Sequence, residues 1–196
     1  MNRKAGEVFE VGLHAHSQAM AALTDHLDKF CEAADMLVEC YKNRGKVLLF
    51  GNGGSAADAQ HIAAELVGKY YLSRPPLPAL ALTVNTSVLT AVANDYGFDH
   101  IFDRQVRAWG CPGDVAIGIS TSGKSPNVIT GIRRAHAMGI RTIGLTGADG
   151  GPLLSEVEVC VCVPSSDTPR IQEGHILVGH LLCEFVEREL FGSGDA

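Results

Sequence analysis

An α/β fold built on a doubly wound, five-stranded parallel sheet is predicted by three features of the sequence. Short apolar runs alternate with helix-like segments along most of the chain, two loops rich in Gly and Ser directly follow two of those runs, and an amphipathic stretch precedes the first. Strands that alternate with helices pair in parallel through right-handed crossovers, which covers both faces of one open sheet with helices, a Rossmann-like three-layer sandwich.

From about Glu7 to Asn43, Leu13, Met20, Leu23, Leu27, Phe30, Ala34 and Leu37 recur at three- and four-residue steps, the period of amphipathic helices, so two helices are expected before the sheet. Five compact apolar runs follow: Val47 to Phe50, Ala79 to Val84, Val115 to Ile119, Thr142 to Leu145 and Val157 to Val163. Each has the length of a strand. Between them, Ala56 to Tyr71, Ser87 to Ala93 and Asn127 to Met138 read as helices. Thr168-Pro169 opens a last long helix, because proline suits the first helical position, and its apolar residues continue to Phe191. The proline cluster from Ser73 to Pro78 reads as a rigid loop rather than a linker, and no repeat or low-complexity segment is present. A single domain over 1–196 is expected.

The 196 residues are 46% hydrophobic and 19% charged, enough for one well-buried core and unlike a disordered or fibrous chain. A net charge of -6 argues against a broad grip on the phosphate backbone of a nucleic acid. Apolar stretches stop well short of the roughly 20 residues that span a bilayer, and Met1 to Glu7 leads into no apolar signal core, so a cytoplasmic protein without a membrane or nucleic-acid partner is expected. The six cysteines include no Cys-x-x-Cys pair and are expected to be reduced and buried.

The chemistry concentrates in three places. After the first apolar run, Gly51-Asn52-Gly53-Gly54-Ser55 leads into a helix carrying His61 and Glu65. Glycines let backbone approach a ligand closely, and the amides opening a helix favour an anion, so phosphate suits this turn. His61 and Glu65, four apart, share a helical face and form a potential metal or acid–base pair. After the third run, Ser120-Thr121-Ser122-Gly123-Lys124-Ser125 concentrates hydroxyls and free amides where a strand's carboxyl end meets a helix start, the usual binding crevice of open parallel sheets. The last helix carries Gln172, Glu173, His175, His180 and Glu184. Gln172 and His180 are about two turns apart, near enough to converge on one ligand, and could complete a site with His61 and Glu65. Imidazole, carboxylate and amide oxygen together suit a borderline divalent ion, zinc first. Glu173 and Glu184 are expected to be solvated or paired with Arg170 and Arg188, and His14, His16, His26, His100 and His136 to be structural.

Gly118 to Ser125 also matches the P-loop pattern of nucleotide triphosphatases. Gly118 lies within the apolar strand, Pro126 follows the serine, and no strand ends in an aspartate placed to support magnesium. Triphosphate hydrolysis is therefore set aside.

Gly-Asn-Gly-Gly-Ser at 51–55, Ala-Asn-Asp-Tyr-Gly at 93–97, Gly-Ile-Ser-Thr-Ser-Gly at 118–123, and Arg-Ile-Gln-Glu-x-His from Arg170 with the later His180 closely resemble the bacterial phosphoheptose isomerase family of the sugar-isomerase (SIS) domain superfamily. The resemblance runs over nearly the whole chain. It implies a homotetramer of SIS domains whose N-terminal helical segment, about 5–44, serves oligomer packing, with active sites near subunit interfaces. It implies one zinc ion per subunit on His61, Glu65, Gln172 and His180, and substrate contacts at Asn52, Gly53, Gly54, Glu65, Asn94, Asp95, Ser120, Thr121, Ser122, Ser125 and Gln172. Glu65 is then the expected base and His180 the expected acid in converting sedoheptulose 7-phosphate to D-glycero-D-manno-heptose 7-phosphate through an enediol, toward ADP- or GDP-heptose for cell-surface polysaccharide. Lys124 stands where relatives often carry asparagine. Two rivals are a non-catalytic SIS-domain regulator that engages a protein partner and an isomerase for another ketose phosphate.

Overall fold

The computed structural model describes residues 3–192; the remaining residues of the expected 1–196 domain lie outside that range. Its strands are β1 (Val47–Gly51), β2 (Ala79–Ala81), β3 (Val115–Ile119), β4 (Arg141–Gly147) and β5 (Val159–Val163). Its helices are α1 (Arg3–Ala22), α2 (Leu27–Lys42), α3 (Gly54–Val67), α4 (Thr86–Tyr96), α5 (Asp103–Trp109), α6 (Pro126–Ala137) and α7 (Thr168–Phe191), with short 3-10 turns between some of them. The strands form one all-parallel sheet in the order β2-β1-β3-β4-β5.

Period-two alternation sorts the strand side chains into two cores. Val47, Leu49, Ile117, Ile119, Ile143 and Val161 pack on one face with α2, α3 and α7 residues, whereas Leu48, Phe50 and Ala116 pack on the other with Val106 of α5 and Val128 and Ile132 of α6. Coverage on both faces explains why the strands read as continuous apolar runs. Close approach of α7 to α3 depends on Gly179, where an added Cβ would run into Ile62.

Several boundaries differ from expectation. β2 ends at Ala81 rather than Val84, because the chain turns toward Asn85, whose side chain caps α4 by accepting from the Val88 amide at 3.0 Å. α3 ends at Val67 rather than Tyr71, with Gly68 as its C-cap. α5 was not expected from the sequence. Gly118 lies inside β3 with Val128 and Ile132 packed against it, consistent with rejection of the P-loop. Cys40, Cys160, Cys162 and Cys183 are buried free thiols, but Cys31 and Cys111 are exposed, contrary to expectation. Both lie outside the sheet, in α2 and in the loop after α5. Among the described residues, no helix is long and apolar enough to cross a membrane.

The inward face of α7 carries His175, fully buried, with Nε2 placed 3.0 Å from the Thr146 carbonyl and Nδ1 unpartnered. Burial pushes this imidazole down to about 4, against the opposing hydrogen bond to Thr146. Between the ordinary histidine value and that depressed one, the unfolded chain binds a proton that the folded chain refuses, so stability is present at neutral pH and lost as pH falls. Urea unfolding is expected to show a His175 contribution on the order of 2 kcal/mol lost between about pH 7 and pH 5, which His175→Gln abolishes. An unchanged pH slope in that variant would contradict this origin.

Candidate active site

The sheet order reverses direction in sequence between β1 and β3, and a crevice opens where neighbouring strands send their crossovers to opposite faces. Gly51 pairs with Ile119, so the loops that follow, beginning at Asn52 and Ser120, emerge side by side. They are joined by a reciprocal amide pair: Asn52 Nδ2 donates to Asn127 Oδ1 at 2.9 Å, and Asn127 Nδ2 donates to Asn52 Oδ1 at 2.8 Å. Asn127 is 1% exposed and was not singled out in the sequence; its only signal is a polar residue immediately after the helix-opening Pro126.

Each loop is shaped by its own residues. Gly53 takes φ +55°, a backbone region that glycine enters without steric cost, and it is the N-cap of α3. Gly54 leaves no room for a Cβ, because the Gln172 side-chain amide of α7 lies directly against it. In the second loop, the Ser120 and Ser125 hydroxyls lie 3.0 Å apart, and Ser122 Oγ accepts from the Lys124 amide at 3.2 Å. Ser125 occupies the N-cap position of α6 without using its side chain as a cap. Beside this loop lies a cleft of about 190 Å³ whose lining includes Thr121, Ser122, Lys124, Asp149 and Thr168. Hydroxyl donors beside a helix start are suited to a phosphate ester.

Two turns along α3, a second cluster forms. His61 Nε2 lies 3.0 Å from His180 Nε2 and 3.3 Å from Glu65 Oε1. The ligand atoms of all three residues fall within 4.8 Å of one another. Donors about 2.0–2.1 Å from a tetrahedral zinc lie about 3.3 Å from each other, so the His61–His180 and His61–Glu65 separations fit two edges of such a site. The Tyr70 ring stands 5.8 Å from the His180 ring, centroid to centroid, and burial, aided by Tyr71, pushes its phenol up to about 12. Asp58, one turn before His61, keeps one carboxylate oxygen buried without a partner, and burial pushes it up to about 6 against the pull of His61.

The expected residues are therefore distributed unevenly. His61, Glu65 and His180 meet within one chain, whereas Gln172 lies about 12 Å earlier along α7 and packs on the glycine turn. Asn94 and Asp95 sit exposed in the last turn of α4, bonded to each other at 2.8 Å. Glu173 pairs with Arg170 at 2.7 Å and with His16 at 2.8 Å, and Glu184 pairs with Arg188 at 2.6 Å.

A SIS-domain model matches residues 13–147. A phosphoheptose isomerase of Citrifermentans bemidjiense is 55% identical over 183 residues, which cover 93% of this chain and 95% of that protein. The chain belongs to the phosphoheptose isomerase family of SIS-domain proteins. Solved phosphoheptose isomerases agree with it in three dimensions. The one from Neisseria gonorrhoeae has a TM-score of 0.84 at 45% identity, covering 94% of this chain and 97% of that one. The one from Francisella tularensis has a TM-score of 0.86 at 38% identity, with the same coverages.

Proposed function

We propose that the chain is an aldose–ketose isomerase that converts sedoheptulose 7-phosphate to D-glycero-D-manno-heptose 7-phosphate, a cytoplasmic step toward nucleotide-activated heptose for cell-surface polysaccharide. The observation that carries this reading is the convergence of His61, Glu65 and His180 on the same pair of helices that flank the glycine turn. On this reading the glycine turn and the acid–base cluster serve one substrate from opposite ends of a short stretch of α3. From Gly54 to His61 the helix advances about 10 Å.

Isomerisation requires a proton to leave C1 and a proton to reach the oxygen on C2, giving an enediol. The C1 hydroxyl then loses its proton while C2 gains one, and the carbonyl has moved. Glu65 is the proposed base at carbon and His180 the proposed acid at oxygen. A carboxylate has two oxygens, so one held in the cluster leaves the other to take the proton. Ser120, Thr121, Ser122 and Ser125 hold the phosphate, with Asn52, Gly53 and Gly54 closing the turn beside them, and thereby fix the register of the reacting carbons. Gln172 is proposed both as a substrate contact, which its place on Gly54 supports, and as a fourth metal donor.

His61, Glu65 and His180 would hold zinc, and zinc when bound supplies Lewis-acid polarisation of the ketose carbonyl. The protein is proposed to act as a homotetramer. Val8, Phe9 and Val11 of α1 are each at least 70% exposed, an apolar surface suited to a second copy, and the exposure of Asn94 and Asp95 leaves them free to contact substrate. Turnover of sedoheptulose 7-phosphate against five- and six-carbon ketose phosphates tests this reading and separates it from the two rivals.

A further inference from the structure

We propose that Arg74 and Glu187, whose side chains meet none of the cluster's ligand atoms and reach Glu65 only through its backbone carbonyl, are positioning residues that set Glu65, Tyr70 and His180 relative to one another. The pair joins the two cluster-bearing helices in a place almost closed to water, with side-chain exposures of 1% and 2%. Glu187 lies seven residues after His180 on α7, two turns on and on nearly the same face. Its Oε2 accepts from Arg74 Nε at 2.9 Å and from the Tyr70 amide at 2.9 Å; its Oε1 accepts from the Tyr71 and Leu72 amides, each at 2.6 Å. Arg74 in turn donates through Nη2 to the Glu65 carbonyl at 2.9 Å and through Nη1 to the Leu66 carbonyl at 2.7 Å.

Those two carbonyls belong to the last turn of α3, where backbone acceptors lack partners within the helix. One guanidinium therefore caps the turn that carries Glu65, while its carboxylate partner holds the backbone of Tyr70, whose ring faces His180. The fork geometry matters, because the three nitrogens of a planar guanidinium reach Glu187 and the Glu65, Leu66 and Pro75 carbonyls in fixed directions and an ammonium would not. A bracket of this kind constrains α3 and α7 in both sliding and rotation, two turns along α7 from where His61 and Glu65 must meet His180. Burial alone would raise the Glu187 carboxyl, but the amide and guanidinium donors outweigh it and hold the group below the ordinary carboxylate value. The bracket is thus ionised at neutral pH.

The inference rests on the proposed isomerase site, and its test has a readout independent of turnover. Glu187→Gln and Arg74→Lys would be compared with Asp114→Asn, which disturbs another ion pair with a buried carboxylate, Lys46–Asp114 at 2.7 Å, away from the cluster. Cobalt(II) affinity by chelator competition and steady-state kinetics would be measured well below each variant's melting temperature. The bracket variants are expected to lose about tenfold or more in cobalt affinity and in kcat, with little change in KM, while Asp114→Asn keeps parental values for both. Parental cobalt affinity and kcat in a folded Glu187→Gln protein, or equal losses in Asp114→Asn, would reduce the pair to a general stabiliser and overturn the proposal. Should both bracket variants fail to fold, Tyr70→Ala leaves the backbone donor in place and removes only the ring; a parental kcat and pH profile there would overturn the positioning role. Absence of heptose phosphate turnover in the parental protein would count against the isomerase reading alone, because cobalt affinity still tests the bracket.

Discussion

Glu65→Gln and His180→Gln, each folded and assayed at saturating zinc, are expected to lose about a thousandfold in kcat, the range that a positioned base or acid supplies. The glutamine amide keeps the size of the Glu65 side chain and an oxygen donor but cannot accept a proton from carbon at neutral pH. The side chain that replaces His180 likewise keeps a polar contact to His61, from which His180 Nε2 stands 3.0 Å, without the capacity to deliver and recover a proton. Both substitutions lie on exposed or half-buried surface, so melting temperatures should change little. Steady-state kinetics checks this directly. A parental rate in either variant would remove that residue from its assigned role.

The second large effect is on binding. Removing the hydroxyls of Ser120, Ser122 and Ser125 together should raise KM at least about a hundredfold, since hydrogen bonds to a charged group contribute about 1.5–3 kcal/mol each and are not fully additive. kcat should fall much less, because the phosphate is remote from the carbons that exchange protons. The Ser120 and Ser125 hydroxyls already pair at 3.0 Å, so their positions are set before substrate arrives. Substrate affinity unchanged in the triple alanine variant would place the phosphate elsewhere, with the neighbouring cleft around Lys124 and Thr168 as the next surface to probe.

Much of this was legible because it is local. The strands are apolar on both faces and so stand out as runs, and the i,i+4 spacing of His61 and Glu65 places them on one helical face without any knowledge of the fold. The pairing of that face with His180 was an expectation across 119 residues, and α3 and α7 do bring the imidazoles together. What escaped was either too short or too distant. α5 spans only 7 residues with Gln105 and Val106 buried, too little to show a helical period. β2 was overextended because Leu82 is apolar and buried, yet its amide bonds to Leu49 beyond the end of the strand. The Arg74–Glu187 bracket hid in a segment that reads only as a proline-rich loop, its partner 113 residues away. Asn127 hid behind the proline that announces a helix.

The most direct measurement is kcat/KM of the purified protein for sedoheptulose 7-phosphate beside five- and six-carbon ketose phosphates, before and after zinc chelation. The seven-carbon substrate is expected to lead by at least about tenfold, the discrimination that one added carbon's contacts can supply, and to lose turnover on chelation and regain it with zinc. No turnover of the seven-carbon ketose phosphate, or equal use of a shorter one, would contradict an active site assembled from α3, α7 and the serine loop for this reaction.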